Sequence, residues 1–353
     1  MDNISVLDVF SNNQKVGRLA LTEDFLCAFE YDSDFLKSGY SISPYFLPLR
    51  SGLFIAERDP FDGGFGVFDD SLPDGWGNLV LDRYLQEKGI NPNKLTILQR
   101  LSLIGSSGRG ALEYRPDNAV MQTSDFTNFN KLAKEVNELL KSNKISVKSL
   151  DYLYEHGGSS GGARPKIFVK MDNKEWLVKF KSREDADDIG KIEYEYALRA
   201  KEFGIDMPEV RLIEKKYFAV ERFDRSSSGK IHTVSASGLL NAFYRIPSLD
   251  YLDLLKLTRA LTNDMGQVFE MFRRMVFNVL ISNKDDHSKN FSFQFRNGKW
   301  KLSPAYDILT SSGFNGYHTT TINNKGAPST DDMLALGLSI GLNKKRCQSL
   351  FKE

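Results

Sequence analysis

The chain has 353 residues, 41% hydrophobic and 26% charged, which is ordinary for a globular protein and long enough for two or three packed units. A net charge of +1 provides no overall basic field that would make nucleic acid or membrane the main partner. Two distant cysteines, Cys27 and Cys347, with no CxxC spacing, argue against a disulfide framework or zinc cluster and fit a reducing cytoplasm. The first residues lack the apolar core of a signal peptide, and no run reaches the ~18 unbroken apolar residues of a membrane span. The expectation is a cytoplasmic protein with no membrane segment.

In chain order, ISVLDVF, KVGRLAL and FLCAFEY are β-rich runs separated by polar turns such as SNNQ. A Gly/Pro/Asp-rich stretch, DPFDGGFGVFDDSLPDGWG, gives way to a helix near residues 77–88 that stops at Gly89. KLTILQRLSLI reads as a further helix, followed by the turn GSSGRG and the strand ALEYRP. Residues 117 to about 127 are polar and mark the best boundary. NFNKLAKEVNELLKSN is then an amphipathic helix, and PKIFVKM, EWLVKFK, VRLIEKK and YFAVERF are strand-like, with the helix KIEYEYALRAKEFGI after the second. From about Ser235 the pattern turns helical, in LLNAFYRI, YLDLLKLTRALT and GQVFEMFRRMVFNVLISN. No internal repeat is present. The fold class expected is α+β.

Four stretches carry chemistry. In GGSSGGARPK (Gly157–Lys166), clustered glycines allow backbone N–H groups to approach phosphate oxygens, and Arg164 and Lys166 add charge. Taken alone, the run serves equally as a flexible linker, and it is neither GxxxxGK[ST] nor GxGxxG. Lys179 sits inside the alternating EWLVKFK, and a helix downstream carries Glu193 and Glu195. Protein kinases fix the lysine that holds the nucleotide α- and β-phosphates by such a strand-to-helix pair, although a solvent-facing strand lysine is the plainer reading. YFAVERFDR places charged and aromatic residues behind an apolar strand, as either a lobe-joining segment beside adenine or a strand ending in a surface charge cluster.

The densest stretch is VLISNKDDHSKNFSF (Val279–Phe293). Phosphoryl transfer needs a carboxylate near the acceptor hydroxyl and oxygen ligands for Mg²⁺. Asp285 and Asn290, five residues apart, match the base and the amide metal ligand of a kinase catalytic loop. LSPAYDIL places Asp307 17 residues beyond Asn290, behind the strand-like KWKLSPAY, where a second metal-binding carboxylate belongs. One histidine, His287, among hard oxygen donors favours Mg²⁺ over Zn²⁺. A charged loop capping a helix is the alternative. His156, His232 and His318 are isolated and read as surface or packing residues, and Trp176 and Trp300 read as core.

With these motifs the sequence resembles the HipA family of serine/threonine kinases, the toxins of HipA/HipB-type toxin–antitoxin systems, over nearly its whole length. VFDDSLPDGWG and LSLIGSSGRGALEYRP are similar to landmarks of the family's N-terminal module. SSGGARPK resembles its phosphate loop, ERFDR its hinge, DDHSKNFSF its D-x-H-x-K-N-F catalytic loop and LSPAYDIL its metal-binding strand end. The resemblance implies a two-lobed, protein-kinase-like fold: a β-rich N-terminal module over residues 1–125, a small lobe with phosphate loop and hinge over 126–234, and a mostly α-helical large lobe over 235–353.

It implies ATP and Mg²⁺ as cofactors, with Asp285 orienting or deprotonating the acceptor hydroxyl and Asn290 and Asp307 holding the metal. Ser160, Gly161, Gly162, Ala163 and Lys166 would form the phosphate loop, and Lys179, paired with Glu193, would contact the phosphates. Glu221 and Phe223 would flank adenine, with His287 and Lys289 also on the nucleotide side. Ser159 would be the autophosphorylation site that silences the enzyme, with Ser160 the adjacent candidate. The partners implied are a protein substrate, a translation component among the candidates, and a small HipB-like DNA-binding antitoxin through which any DNA contact is made. A non-toxic regulatory or nucleotide-binding module and a small-molecule kinase are the alternatives. Arg164 departs from the family's usual Gln, and GKIHTVSASGLLNA lacks the common H-x-E-D form.

Overall fold

The structure, a computed structural model, describes residues 4–119, 128–141, 147–157, 161–313 and 315–352. Alternating burial along the first runs builds an antiparallel meander of β1 (Val6–Ser11), β2 (Gln14–Leu21) and β3 (Cys27–Tyr31). The short helix α1 (Ser33–Ser38) follows, capped by the Asp32 carboxylate on the Asp34 N–H. β4 (Leu53–Ile55) adds to one edge and β5 (Leu112–Arg115) to the other, giving the order β4-β3-β2-β1-β5. Leu7, Val9, Leu19 and Phe29 fill its inner face with Phe68 and Tyr114, each fully buried. Such side chains contribute about 1.5–3 kcal/mol apiece.

Between β4 and β5 lie α2 (Gly66–Asp69), α3 (Gly75–Glu87) and α4 (Ile97–Ile104). Thr96 and Gln99 close a capping box at the start of α4. The amphipathic run after the polar stretch forms α5 (Phe129–Lys141), and α6 (Val147–Gly157), which the sequence did not single out, follows it. The strand-like runs form β6 (Lys166–Met171), β7 (Lys174–Lys179), β8 (Val210–Ile213) and β9 (Tyr217–Glu221), in the order β6-β7-β9-β8. Helix α7 (Ile189–Glu202) is inserted after β7.

A core joins α3 and the helices after it to the second sheet. Trp76, Val80, Leu81 and Leu85 of α3 pack with Leu153 and Tyr154 of α6 and with Ile167, Trp176 and Val178 of the second sheet. Residues 1–194 and 209–232 therefore form one compact unit. The expected boundary at residue 125 lies outside the described residues. A two-residue hairpin, β10 (Arg225–Ser226) with β11 (Gly229–Lys230), ends this part of the chain.

The second unit comprises residues 195–208 and 233–353. β12 (His232–Ser235) leads to α8 (Ala236–Leu240), which is shorter than LLNAFYRI suggested because Asn241 takes the left-handed φ of 50° and ends the helix. After β13 (Leu249–Asp250), Asp250 and Asp253 form a capping box on α9 (Tyr251–Thr262), and Asp264 caps α10 (Met265–Leu280). The apolar spacing of α10 buries Val268, Phe269, Phe272, Met275 and Val276 on one side. The hairpin of β14 (Ser292–Arg296) and β15 (Lys299–Leu302) joins β12 in a three-stranded sheet. β16 (Thr320–Thr321) pairs in parallel with β13, and α11 (Thr330–Ser339) and α12 (Lys344–Ser349) complete the unit. Among the described residues, no helix is long and apolar enough to cross a membrane.

Candidate active site

The first unit places the glycine run against the N-terminal module. Residues Gly161–Pro165 lead into β6, and the Gly162 peptide is held on both sides: its N–H donates to the Asp74 carboxylate, and its carbonyl accepts from the Trp76 N–H at 3.0 Å. The Trp76 indole N–H also donates to the Lys166 carbonyl at 3.0 Å, and Lys166 Nζ donates to the Gly161 carbonyl at 2.6 Å. Gly75 is required here, since a Cβ would lie 2.7 Å from Ala163 Cα and 2.8 Å from the Gly162 oxygen. The run is thus held in a defined turn by the DGW sequence, unlike a flexible linker. Ser159 and Ser160 lie outside the described residues.

Lys179 ends β7 with its Nζ 3.3 Å from Glu193 Oε1 of α7, and the carboxylate is only 5% exposed. Arg164 reaches the same oxygen at 3.5 Å and binds Asp185 through Nε at 3.1 Å. The result is an alternating chain, Lys179–Glu193–Arg164–Asp185. Burial would raise the Asp185 pKa, but the hydrogen bonds from Arg164 and Ser182 outweigh it and hold the carboxyl below its usual range. Gly190 lets the first turn of α7 lie against the β8–β9 turn, because a Cβ there would meet the Lys216 carbonyl at 2.1 Å. Lys179, Glu193, Arg164, Lys181 and Lys216 share an open pocket with Asn137 of α5.

In the ERFDR segment, the Glu221 carboxylate is engaged by Lys174 Nζ at 2.8 Å, where the two inner strands β7 and β9 end. The Glu221 N–H donates to the Glu209 carbonyl and the Arg222 N–H to the Glu175 carbonyl, both at 2.9 Å. Phe223 is partly exposed. Next to it, Arg222, Asp224 and Arg225 are tied to the loop at Gly108 and Gly110 of the N-terminal module.

In the second unit, the loop after α10 is returned on itself by the β14–β15 hairpin. Phe293 pairs with Leu302, and the Ser303 N–H donates to the Ser292 carbonyl at 2.8 Å, so the residues before β14 and after β15 emerge at the same end. The Tyr306 hydroxyl donates to the Lys289 carbonyl at 2.5 Å and contacts Ser292 Oγ at 2.6 Å. Asn283 Nδ2 donates to the Asp307 carbonyl at 3.4 Å, two positions before Asp285. Asp307 itself has a φ of 58°, a left-handed conformation that costs a non-glycine residue about 1–3 kcal/mol and is concentrated at functional sites.

Asp285 is exposed while the adjacent Asp286 is fully buried. Asn290 Nδ2 donates to the Asp285 carbonyl at 2.7 Å, which leaves the amide oxygen as the group available to a cation. His287 and Lys289 both face Tyr244, the ring at 5.7 Å between centroids and the Lys289 Nζ 4.3 Å over the aromatic face. Two carboxylates and an amide oxygen are the hard donors Mg²⁺ selects, and the ion ordinarily completes its shell with water and nucleotide phosphates. Among the described residues, no three His, Cys, Asp or Glu side chains gather as for a protein-only metal cage.

Sequence reasoning missed the residues that hold these groups. Asp74 was part of a landmark with no assigned role, and the partners of Asp286, among them His318, lie more than thirty residues from it. The three histidines that read as surface or packing residues, His156, His232 and His318, are all buried.

An α+β fold with these loops defines a HipA-like protein. A model of the HipA N-terminal domain matches residues 7–115, and one of the HipA-like C-terminal domain matches residues 158–353. The chain belongs to the HipA family. It is 23% identical over 379 residues to Y4dM of Sinorhizobium fredii, provisionally named a kinase, covering 98% of this chain and 88% of that protein. A Haemophilus influenzae protein, also provisionally named a kinase, is 25% identical over 237 residues, covering 54% of this chain and 69% of the relative. Its fold is similar to a chain from the Shewanella oneidensis MR-1 complex of HipA, HipB and operator DNA, with a TM-score of 0.72 and 18% identity over 98% of this chain and 87% of that one.

Proposed function

We propose that the protein is an ATP- and Mg²⁺-dependent serine/threonine protein kinase of the HipA toxin type. The observation that carries the reading is the Lys179–Glu193 pair at 3.3 Å, a strand lysine tied to a buried helix carboxylate where a solvent-facing lysine was the alternative. In this reading Lys179 contacts the nucleotide phosphates beside the Gly161–Lys166 turn. Asp285 orients or deprotonates the acceptor hydroxyl, and its exposure keeps it accessible to an acceptor. Asn290 and Asp307 hold Mg²⁺, which neutralises charge on the phosphates when bound. Glu221 and Phe223 act through the hinge backbone beside adenine.

A HipB-like DNA-binding antitoxin is the partner the family membership supports, since the similar Shewanella chain is part of a complex with HipB and operator DNA. Phosphate on Ser159 would add about −1.5 to −2 charges next to a phosphate-binding turn and repel the nucleotide. Domain roles follow the same division, with residues 1–125 as the N-terminal module, 126–234 as the nucleotide-binding part and 235–353 as the part carrying the catalytic loop.

The test is phosphoamino-acid analysis after incubation of the purified protein with labelled ATP and a cell extract. Label on serine or threonine of a protein, lost in Asp285→Asn, is the expected result. Label on small molecules alone would favour a small-molecule kinase. Nucleotide-dependent thermal stabilisation without any transfer would mark a binding module.

A further inference from the structure

Asp286 is the least exposed residue of the 283–290 loop, and its carboxylate is the acceptor for two different parts of the second unit. It accepts from the Tyr251 hydroxyl at 2.9 Å, from His318 Nδ1 at 2.9 Å, and from the backbone N–H groups of Thr319 at 2.9 Å and Thr320 at 3.2 Å. A carboxylate only accepts, so the His318 contact is a hydrogen bond in the tautomer that carries its proton on Nδ1. Burial, and then the Asp286 charge, push the Tyr251 phenol well above its ordinary pKa and keep it a donor. The Thr320 hydroxyl donates in turn to the Asp286 carbonyl, while the Lys284 carbonyl accepts the Thr319 N–H at 3.1 Å and its hydroxyl at 3.0 Å. The carbonyls of Lys284 and Asp286, the residues on either side of Asp285, are therefore pinned by residues 319–320, and the carbonyl of Asp285 itself by Asn290.

The same carboxylate ends a relay from the other candidate metal residue. Asn283 Nδ2 donates to the Asp307 carbonyl and, at 3.1 Å, to Asn278 Oδ1. Asn278 Nδ2 donates to the Tyr251 hydroxyl at 3.0 Å, and that hydroxyl donates to Asp286. All of these side chains are buried, with Asn278, Asn283, Tyr251 and Asp286 at most 4% exposed. Buried networks of this kind are rigid when every member is satisfied and disruptive when one is removed.

We infer that Asp286 and His318 are positioning residues for phosphoryl transfer: they fix the backbone that presents Asp285 and couple it to Asp307. Neither touches a reacting atom. This inference rests on the kinase reading for its catalytic consequence, but the positioning itself does not. Catalytic groups must be held to within about 0.5 Å, and a displacement of about 1 Å costs on the order of 100-fold in rate.

The full-length chain is tested with Asp286→Asn, His318→Ala and His318→Gln, the last of which keeps an N–H donor that can reach the carboxylate. For Asp286→Asn, kcat is expected to fall about 100-fold while KM for ATP stays within about twofold of wild type. His318→Gln should recover most of what His318→Ala loses. Backbone amide exchange at residues 284–290 and 319–320 should accelerate in Asp286→Asn and His318→Ala, while α11 and the first two turns of α10 keep wild-type protection. An active wild type with undiminished kcat in Asp286→Asn overturns the inference and leaves the kinase reading intact. An inactive wild type sinks the kinase reading, and exchange then decides alone. Unchanged exchange in the loop, or acceleration shared equally by α10 and α11, overturns the positioning role.

Discussion

Asp224→Asn tests how the ERFDR segment is anchored to the loop at Gly108–Gly110. The Asp224 carboxylate receives Arg222 Nε at 3.0 Å and Nη2 at 2.9 Å, Arg225 Nη1 at 3.0 Å and the Gly110 N–H at 2.8 Å. Glu175 adds a second carboxylate, 3.3 Å from each guanidinium, so two positive and two negative charges balance. The asparagine removes one negative charge and leaves Arg222, only 8% exposed and stacked 4.4 Å over Phe168, without its bidentate partner. Removing one member of a buried pair costs about 3–5 kcal/mol. For a unit of roughly 200 residues, at about 2–4 °C per kcal/mol, the melting transition of the first unit should fall by roughly 6–20 °C.

The pH dependence gives an independent check. Burial alone would raise the Asp224 pKa, but the two guanidiniums hold it far below the usual carboxylate range. Its contribution is therefore complete above the unfolded value near 3.9 and is lost as pH falls below it, by up to about 1.4 kcal/mol per pH unit. Calorimetry of both proteins between pH 3 and 7 should show the gap between them narrowing towards the acid end. A fall of less than 2 °C at neutral pH, or a gap that widens in acid, would refute the reasoning.

Three further outcomes follow from the geometry. His232 is buried with Nε2 2.8 Å from the Ile42 carbonyl, and burial lowers its pKa from 6.5 to about 4. It folds neutral, so stability should be intact above pH 6.5 and decline by roughly 3 kcal/mol as pH falls to about 4, a decline that pH-dependent chemical denaturation should find reduced in His232→Gln. Gly75→Ala should cost about 1–3 kcal/mol, because its Cβ collides with the Gly162–Ala163 backbone, and thermal melts with and without nucleotide should show weaker nucleotide stabilisation as well. Lys179→Met should weaken ATP binding about 10–100-fold in a direct titration, the worth of a charge-assisted contact; unchanged affinity would remove Lys179 from the site.

What the sequence made legible was what is local. The meander strands are β-rich runs bounded by polar turns, the strand-like run around Lys179 is apolar with polar ends, and α9 and α10 have both spacing and caps. The Asp285–Asn290–Asp307 spacing was legible because a loop and one hairpin span it. What escaped depends on contacts distant in the chain. Nothing near Gly162 announces that Asp74 and Trp76, 88 and 86 residues earlier, hold its peptide. The landmarks GSSGRG and ERFDR were each visible, yet not that Asp224 binds Gly110 across 114 residues. Helix α8 was overextended because a left-handed Asn241 costs a sequence pattern nothing. Asp285 and Asp286 are identical letters with opposite fates, exposed and buried, and only His318, Thr319 and Thr320 decide which is which.

Transfer of the γ-phosphate from labelled ATP by the purified chain, with Mg²⁺ and beside Asp285→Asn, is the most direct measurement of the kinase assignment. Incorporation by the wild type that vanishes on chelation of Mg²⁺ and falls at least a hundredfold in the variant, on the scale of about 10²–10⁴ for a lost proton acceptor, is the result predicted. Equal incorporation by both proteins, or none by the wild type while it binds ATP, would contradict it.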